Sequence, residues 1–273
     1  MAKLIILLRV KDSIFYINDW LKRYEDIADG IVAVDNGSTD GTFEALSAHP
    51  KVIELIPTQG YDEGRDKSLL YAHARKHNPD WLLWIDVDEI FEPEMTRKHF
   101  DKLMSSKIID RYAFRRFHFI DHKYFAASKF WLNYSAGHDR VLWREKPTGY
   151  FLNQIIDSPN VKGINGIKAY SSYRIKHLGY INKELVDRKA EIYRKIIPDS
   201  ESALQTMYLE GEKRAEWIDR RNDIRVILLQ IRLDMIQLKH FARKGMALIS
   251  KAFSGLLKSI TNRQSKLQQT TAN

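Results

Sequence analysis

The sequence predicts an α/β fold: a doubly wound, mostly parallel sheet with a helical extension at the C-terminal end. Three observations predict it. Short apolar runs alternate with helical patterns up to about residue 92, the alternation that builds parallel sheets. Two of those runs, 31–35 and 81–86, end in carboxylates, so buried strands carry acids to one sheet edge. From Asn182 the pattern is helical nearly to the end.

The elements follow in order. Residues 4–10 read as an apolar first strand; Arg9 interrupts the run after five apolar residues, too soon for the apolar region of a signal peptide. Lys11-Asp12-Ser13 can cap a helix reaching about Tyr24. Residues 31–35 form the next strand, Asn36-Gly37-Ser38-Thr39-Asp40-Gly41 a loop of turn formers, and Thr42 begins a helix. Residues 52–56 are a third strand, and Gly60 to Gly64 a loop before a helix from Arg65 to about Lys76. Asn78-Pro79-Asp80 breaks that helix, and 81–86 return as a strand. A short helix near 95–105 precedes an aromatic and arginine-rich span, 111–151, whose alternation suggests antiparallel strands beside the site. Gly163 to Gly166 reads as a turn and Tyr173 to Tyr180 as a strand end. No segment is long enough to cross a bilayer.

Composition narrows the possibilities. A chain of 273 residues with 44% hydrophobic and 29% charged residues is ordinary for a globular protein. The absence of cysteine excludes disulfides and thiolate metal sites and fits a reducing compartment. The net charge of +9 belongs to the tail: from Ile224 onward nine Lys or Arg face one acid, Asp234, against 35 bases and 34 acids before it. It therefore says nothing of a basic catalytic face.

In extended chain Asp86 and Asp88, at i and i+2, point to one face. Two carboxylates there repel unless a cation intervenes, and a hard ion such as Mg²⁺ or Mn²⁺ bridging a diphosphate suits them. Asp35 can accept hydrogen bonds from a base or ribose. Asp40 and Thr42 read as loop and helix-start groups. Gly37 and Gly41 lack the spacing of a dinucleotide fold.

Val34-Asp35-Asn36-Gly37-Ser38-Thr39-Asp40-Gly41-Thr42 resembles the nucleotide-binding signature of family 2 glycosyltransferases with the GT-A fold. Asp86-Val87-Asp88-Glu89 resembles their Asp-x-Asp metal motif, Arg9-Val-Lys-Asp12 the loop after their first strand, and Gly64-Arg65 to Ala72 their nucleotide-facing helix. The resemblance covers about residues 3–92, and it implies roles. Asp35 would contact the uracil or ribose and Arg65 the base or phosphates, while Arg9 and Asp12 line the base pocket. Asp86 would face ribose and metal, and Asp88 would ligate the metal directly. His177-Leu-Gly179-Tyr180 is similar to a segment of many relatives, which implies His177 as a third ligand of Mn²⁺ or Mg²⁺.

On this reading residues 1–181 are a catalytic domain, with a nucleotide-binding half to about 92 and an acceptor half over 93–181; residues 182–273 are a helical, basic region. The implied activity is metal-dependent, inverting transfer from a nucleotide-sugar donor, UDP-linked, to a hydroxyl of a glycan or glycolipid of the cell surface, as in lipopolysaccharide or capsule. The acceptor hydroxyl then needs a base. Asp139 is the first candidate, with Glu145 and Asp157 as alternatives; Asn153-Gln154 stands where some relatives show His-Glu, and neither amide can act as a base. His118 and His122, at i and i+4, lie among strand-like residues, where helical spacing has little meaning. The span 111–134 could stack an acceptor sugar or could be core.

Arg225, Arg232 and Lys239 recur every seven residues, as do Lys244, Lys251 and Lys258, with apolar residues between them. This is an amphipathic, cationic helix or helix pair. It fits peripheral contact with an anionic membrane through 224–266, on the cytoplasmic face, or packing against protein. No nucleic acid is expected. Two other readings are a nucleotidyltransferase of similar layout, whose Gly-rich first loop is missing here, and a lipid- or nucleic-acid-binding protein on an inactive transferase-like fold.

Overall fold

The computed structural model describes residues 1–137, 140–155, 158, 160–196 and 211–246. The chain divides into two units, 1–221 and 222–273. The first is built on an eight-stranded sheet.

Strand β1 (Leu4–Val10) is central, hydrogen-bonded in parallel to β2 (Gly30–Asp35) on one side and β4 (Trp81–Trp84) on the other. Strand β3 (Val52–Pro57) pairs in parallel with β2 at the edge. Beyond β4 come β8 (Arg140–Arg144), β6 (Ile109–His118), β9 (Ile167–His177) and β5 (Glu89–Phe91), giving the order β3-β2-β1-β4-β8-β6-β9-β5. Strand β8 runs antiparallel to both neighbours, whereas β6 and β9 are parallel. The fold is therefore mixed α/β with a mostly parallel sheet. A separate short pair joins β7 (Tyr124–Ala126) to β10 (Arg214–Glu216).

The continuous apolar run of β1 reflects cover on both faces. Leu4, Ile6, Leu8 and Val10 pack with Ile17, Trp20 and Tyr24 of α1 (Ile14–Tyr24) and with Phe100 of α4 (Arg97–Met104). Ile5 and Leu7 point the other way, onto Leu70, Tyr71 and Ala74 of α3 (Glu63–Arg75). This period-two split between two helical layers is what doubly wound means here. Leu46 of α2 (Thr42–Ala48) joins the first layer.

Four local readings change. Helix α3 begins at Glu63 because the Asp62 carboxylate caps it, accepting from Arg65 N–H at 2.9 Å. Ser13 makes no side-chain cap on α1; Asp40, across the sheet edge, accepts from Ile14 N–H at 3.0 Å instead. The aromatic span is not all strand, since α5 (Lys129–Ala136) interrupts it, and β6 pairs with β9 in parallel. Strand β4 stops at Trp84, and the chain turns through 86–89, with Glu89 N–H donating to the Asp86 carbonyl at 3.0 Å.

Helix α6 (Lys183–Ile196) and β10 fall within the first unit. The second unit carries a helix over 224–246, α7. Val226 and Leu233 are buried, while Ile224, Leu228, Ile231, Met235 and Leu238 are exposed. Among the described residues no helix is long and apolar enough to cross a membrane.

Candidate active site

Because β1, β2, β4, β6 and β9 all run the same way, their C-terminal ends share one edge of the sheet, and antiparallel β8 begins there. A cleft of about 760 Å³ opens at that edge. Crevices outside the carboxyl ends of such strands are where ligands of α/β sheets bind. Arg9, Asp12, Asp86, Asp88 and His177 line it.

On the β1–β2 side two loops interlock. Asp12 N–H donates to Ser38 Oγ at 2.8 Å, and Thr39 N–H returns a bond to Asp12 Oδ1 at 2.8 Å. Asp12 holds a positive φ of 43° to do so. Asp40 accepts from Thr42 N–H and hydroxyl, which secures the start of α2. Asp35 is buried; its Oδ1 accepts from Gly37 and Ser38 N–H at 2.9 and 2.8 Å, and its buried Oδ2 has no hydrogen-bond partner among the described residues. Its carboxylate shapes the loop from behind, and Asn36 lines the cleft.

Arg65 is not brought to the cleft. Its guanidinium donates to the carbonyls of Gln59 and Gly60, both at 3.0 Å, and to Asp66. Asp66, fully buried, also accepts from Asn36 Nδ2 at 2.9 Å and faces Arg9 at 3.8 Å. Cations that do line the cleft here include Lys11, Arg9, stacked on Tyr61 at 4.5 Å, and Lys67, 4.8 Å from the Trp84 ring. Burial pushes the Lys67 pKa below the usual lysine range, against the opposing pull of Glu63.

Beyond β4, the chain turns at 86–89 and gives the two acids different partners. Asp86 accepts from Trp84 Nε1 at 3.0 Å and pairs with Arg140. Burial works to raise its pKa, but the Arg140 guanidinium prevails and holds the carboxyl below the usual range. Glu89, fully buried, takes Arg140 Nε at 2.6 Å and Arg116 Nη1 at 2.8 Å. The chain turns here, with Glu89 held by this pair of guanidinium groups, so the same-face argument for extended chain does not describe Asp86 and Asp88. Asp88 meets His177 instead: Oδ2 lies 3.3 Å from Nε2. Desolvation opposes ionisation of Asp88, but His177 in its protonated form and then Lys189 outweigh it and hold the carboxyl below its ordinary range.

Asp88, Glu89 and His177 form a group able to hold a metal ion, with ligand atoms within 4.8 Å of one another. Glu89 is already committed to two arginines, which leaves Asp88 and His177, facing each other at the cleft. Gly179 makes room: a Cβ there would stand 2.6 Å from Asp88 Oδ2 and 2.8 Å from His177 Cε1. Carboxylate oxygen suits Mn²⁺ or Mg²⁺, and a neutral imidazole can serve as a further ligand. The residues present fit such an ion.

Of the candidate bases, Asp139 and Asp157 lie outside the described residues. Glu145 is placed elsewhere: it follows β8 at the opposite end of β4, its N–H on the Asp80 carbonyl, and pairs with Arg75 and Tyr71. Glu89, Arg116, Arg140, Lys67 and Asp66 were missed by the sequence reading. Glu89, next to the acidic pair, and Asp66 and Lys67, within the segment resembling the nucleotide-facing helix, carried the local signals. His122 is exposed, whereas His118, at the end of β6, is buried beside His177.

Residues 17–162 match the family model for glycosyl transferase family 2. The chain belongs to that family. No curated protein matches this family 2 chain in sequence. Among solved structures it is similar to S. aureus TarS 1–349, at 14% identity and TM-score 0.46 over 74% of this chain and 68% of that one; it spans 41% of a longer S. aureus TarS chain. The mannosyltransferase PcManGT from Pyrobaculum calidifontis, in complex with GDP-Man and Mn²⁺, is similar at 10% identity and TM-score 0.46 over 93% of this chain and 80% of that one. Glucosyl-3-phosphoglycerate synthase from Mycobacterium tuberculosis, with Mn²⁺, UDP and glucosyl-3-phosphoglycerate, is similar at 13% identity and TM-score 0.43 over 79% and 87%.

Proposed function

We propose that this family 2 transferase moves a sugar, with inversion, from a UDP-linked donor to a hydroxyl of a glycan or glycolipid, and that it needs a divalent ion to do so. The observation that carries the reading is the Asp88–His177 pair at the shared edge of the parallel strands, with Gly179 leaving it open to the cleft. Asp88 and His177 would hold Mn²⁺ or Mg²⁺, which supplies charge neutralisation on a departing diphosphate. Arg9 and Lys67, both lining the cleft, bind and orient the anionic donor. Asp35 and Asp12 fix the loop against which the nucleoside rests. Phe130 and Tyr134 expose their rings to the same cleft and suit an acceptor sugar.

An acid must accept the acceptor's proton. Glu145 stands at the far sheet edge, so Asp139 is the base we propose, with Asp157 as the alternative. Arg140, its sequence neighbour, is bonded to Asp86. The exposed apolar face of α7, flanked by Arg225, Arg232 and Lys239, supports peripheral contact with an anionic membrane displaying the acceptor.

Titration calorimetry with a panel of nucleotide sugars, with and without Mn²⁺, tests the donor reading. One UDP-sugar should bind tightly only with metal, and Asp88→Asn should lower its metal-dependent hydrolysis by on the order of 100-fold or more. Metal-independent binding of every nucleotide sugar, or hydrolysis indifferent to Asp88→Asn, would overturn it.

A further inference from the structure

The glycine, acids and arginines of the cleft have roles in the reading above; His118 does not. It is fully packed, at the C-terminal end of β6, and the parallel register sets it directly beside His177 of β9. His177 in turn sits opposite Glu89 of β5. Three neighbouring strands thus carry Glu89, His177 and His118 across one edge.

The two imidazoles meet Nδ1 to Nδ1, at 2.9 Å. A hydrogen bond between two ring nitrogens holds one proton, so the pair has two neutral arrangements. In the first, His177 Nδ1–H donates to His118 Nδ1; His177 Nε2 then presents a lone pair toward Asp88, and His118 Nε2 carries a hydrogen. In the second, His118 Nδ1–H donates to His177; His177 Nε2–H then points at Asp88 Oδ2, 3.3 Å away, and no lone pair is left for a metal. The arrangements contain the same number of protons and differ only in where they sit.

The surroundings of His118 choose between them. Its Nε2 is buried without a hydrogen-bond partner among the described residues, and the ring is walled by Trp131, Tyr134 and Tyr180 at centroid distances of 4.6, 5.0 and 5.6 Å. A ring nitrogen packed among aromatic rings is better placed as an N–H, which a π-system accepts weakly, than as a bare lone pair, which it repels. A hydrogen on His118 Nε2 leaves Nδ1 unprotonated, which is the first arrangement.

We propose that His118 is a positioning residue that accepts the Nδ1 proton of His177 and so keeps the Nε2 lone pair of His177 turned toward the metal site beside Asp88. It rests on the reading of Asp88 and His177 as metal ligands. Metal-ligating histidines are usually fixed in tautomer by an acceptor on the other ring nitrogen, and losing it costs about 10–100-fold in metal affinity. Here the acceptor is a second imidazole, made selective by three aromatic rings.

Two measurements test it on the full chain. In ¹⁵N-histidine-labelled wild type loaded with Mg²⁺, long-range ¹H–¹⁵N correlations should place hydrogens on His177 Nδ1 and His118 Nε2; hydrogens on His118 Nδ1 and His177 Nε2 would overturn it. The second is Mn²⁺ affinity by electron paramagnetic resonance, without sugar nucleotide. His118→Phe fills the aromatic box but offers no acceptor and should bind about 10–100-fold more weakly, whereas His118→Asn, whose Oδ1 can replace Nδ1, should stay within about threefold of wild type. Equal affinity in His118→Phe and wild type, or equal loss in both variants, would refute the acceptor role. Wild type that binds no Mn²⁺ would instead strike at the metal reading itself, and the inference would fall with it.

Discussion

At the scale of single residues the site is organised by buried charge. Glu89 has no exposed surface and is balanced by Arg116 and Arg140, with Arg140 also reaching Asp86. Removing one member of such a set is costly because the remaining charges stay buried. Glu89→Gln should therefore lower stability by about 3 kcal/mol, read as a reduced denaturant midpoint with unchanged slope. A variant as stable as wild type would mean water already reaches this cluster. Gly179 makes a sharper point about geometry. Gly179→Ala places a methyl within 2.6 Å of Asp88 Oδ2 and 2.8 Å of His177 Cε1, so the two groups must part. We expect Mn²⁺ affinity to fall at least about tenfold, with thermal stability nearly unchanged. Unchanged affinity would show that the ion is held elsewhere. The Glu89 cluster was illegible in the sequence, since Arg116 of β6 and Arg140 of β8 reach Glu89 only once the sheet has formed.

At the scale of elements, what could be read was whatever depends on local pattern. The apolar runs of β1, β2 and β4 and the turn formers after Asp35 placed the strand ends, and the cleft lies at those ends. What could not be read was long-range pairing. Arg65 leads α3, yet its guanidinium is spent on the 59–60 carbonyls, and Lys67, two residues on, lines the cleft instead. α5 was hidden because its aromatic residues fit a strand pattern as well as a helix. The seam between β3 and α3 gives a test of element packing. Glu54 of β3 faces His73 of α3 and His77, in the turn just past the end of that helix. Desolvation works to raise the Glu54 pKa, but the hydrogen bonds from His73 and His77 prevail and lower it. A carboxyl lowered on folding stabilises the fold above its unfolded pKa, and that contribution is lost as pH falls through the folded value. Glu54→Gln should accordingly lower the melting temperature at neutral pH, and the gap to wild type should close in acid below the ordinary carboxylate range. A gap independent of pH would assign the loss to packing.

At the scale of the whole molecule, charge is partitioned rather than spread. Residues before Ile224 are nearly balanced, and the excess lies in the last fifty or so. Along α7 the exposed apolar residues Ile224, Leu228, Ile231, Met235 and Leu238 recur at three- and four-residue steps, with Arg225, Arg232 and Lys239 interspersed at intervals of seven. An apolar stripe bordered by cations suits the interface of an anionic bilayer, where each basic residue near the surface contributes about 1 kcal/mol. Two forces would then act together, and they can be separated. Salt shortens the reach of charge, from about 10 Å at 0.1 M to about 3 Å at 1 M, but leaves apolar burial intact. The full chain should sediment with phosphatidylserine-containing vesicles more than with neutral phosphatidylcholine ones, and added salt should release most of it. Replacing Leu228 and Leu238 by Gln should weaken vesicle binding at low salt while leaving its salt sensitivity in place, because the cations remain. Equal partition onto neutral and anionic vesicles would defeat the electrostatic half of the reading. Concentration-dependent dimerisation abolished by the same double substitution, with no vesicle binding, would assign the apolar face to a second copy of the chain.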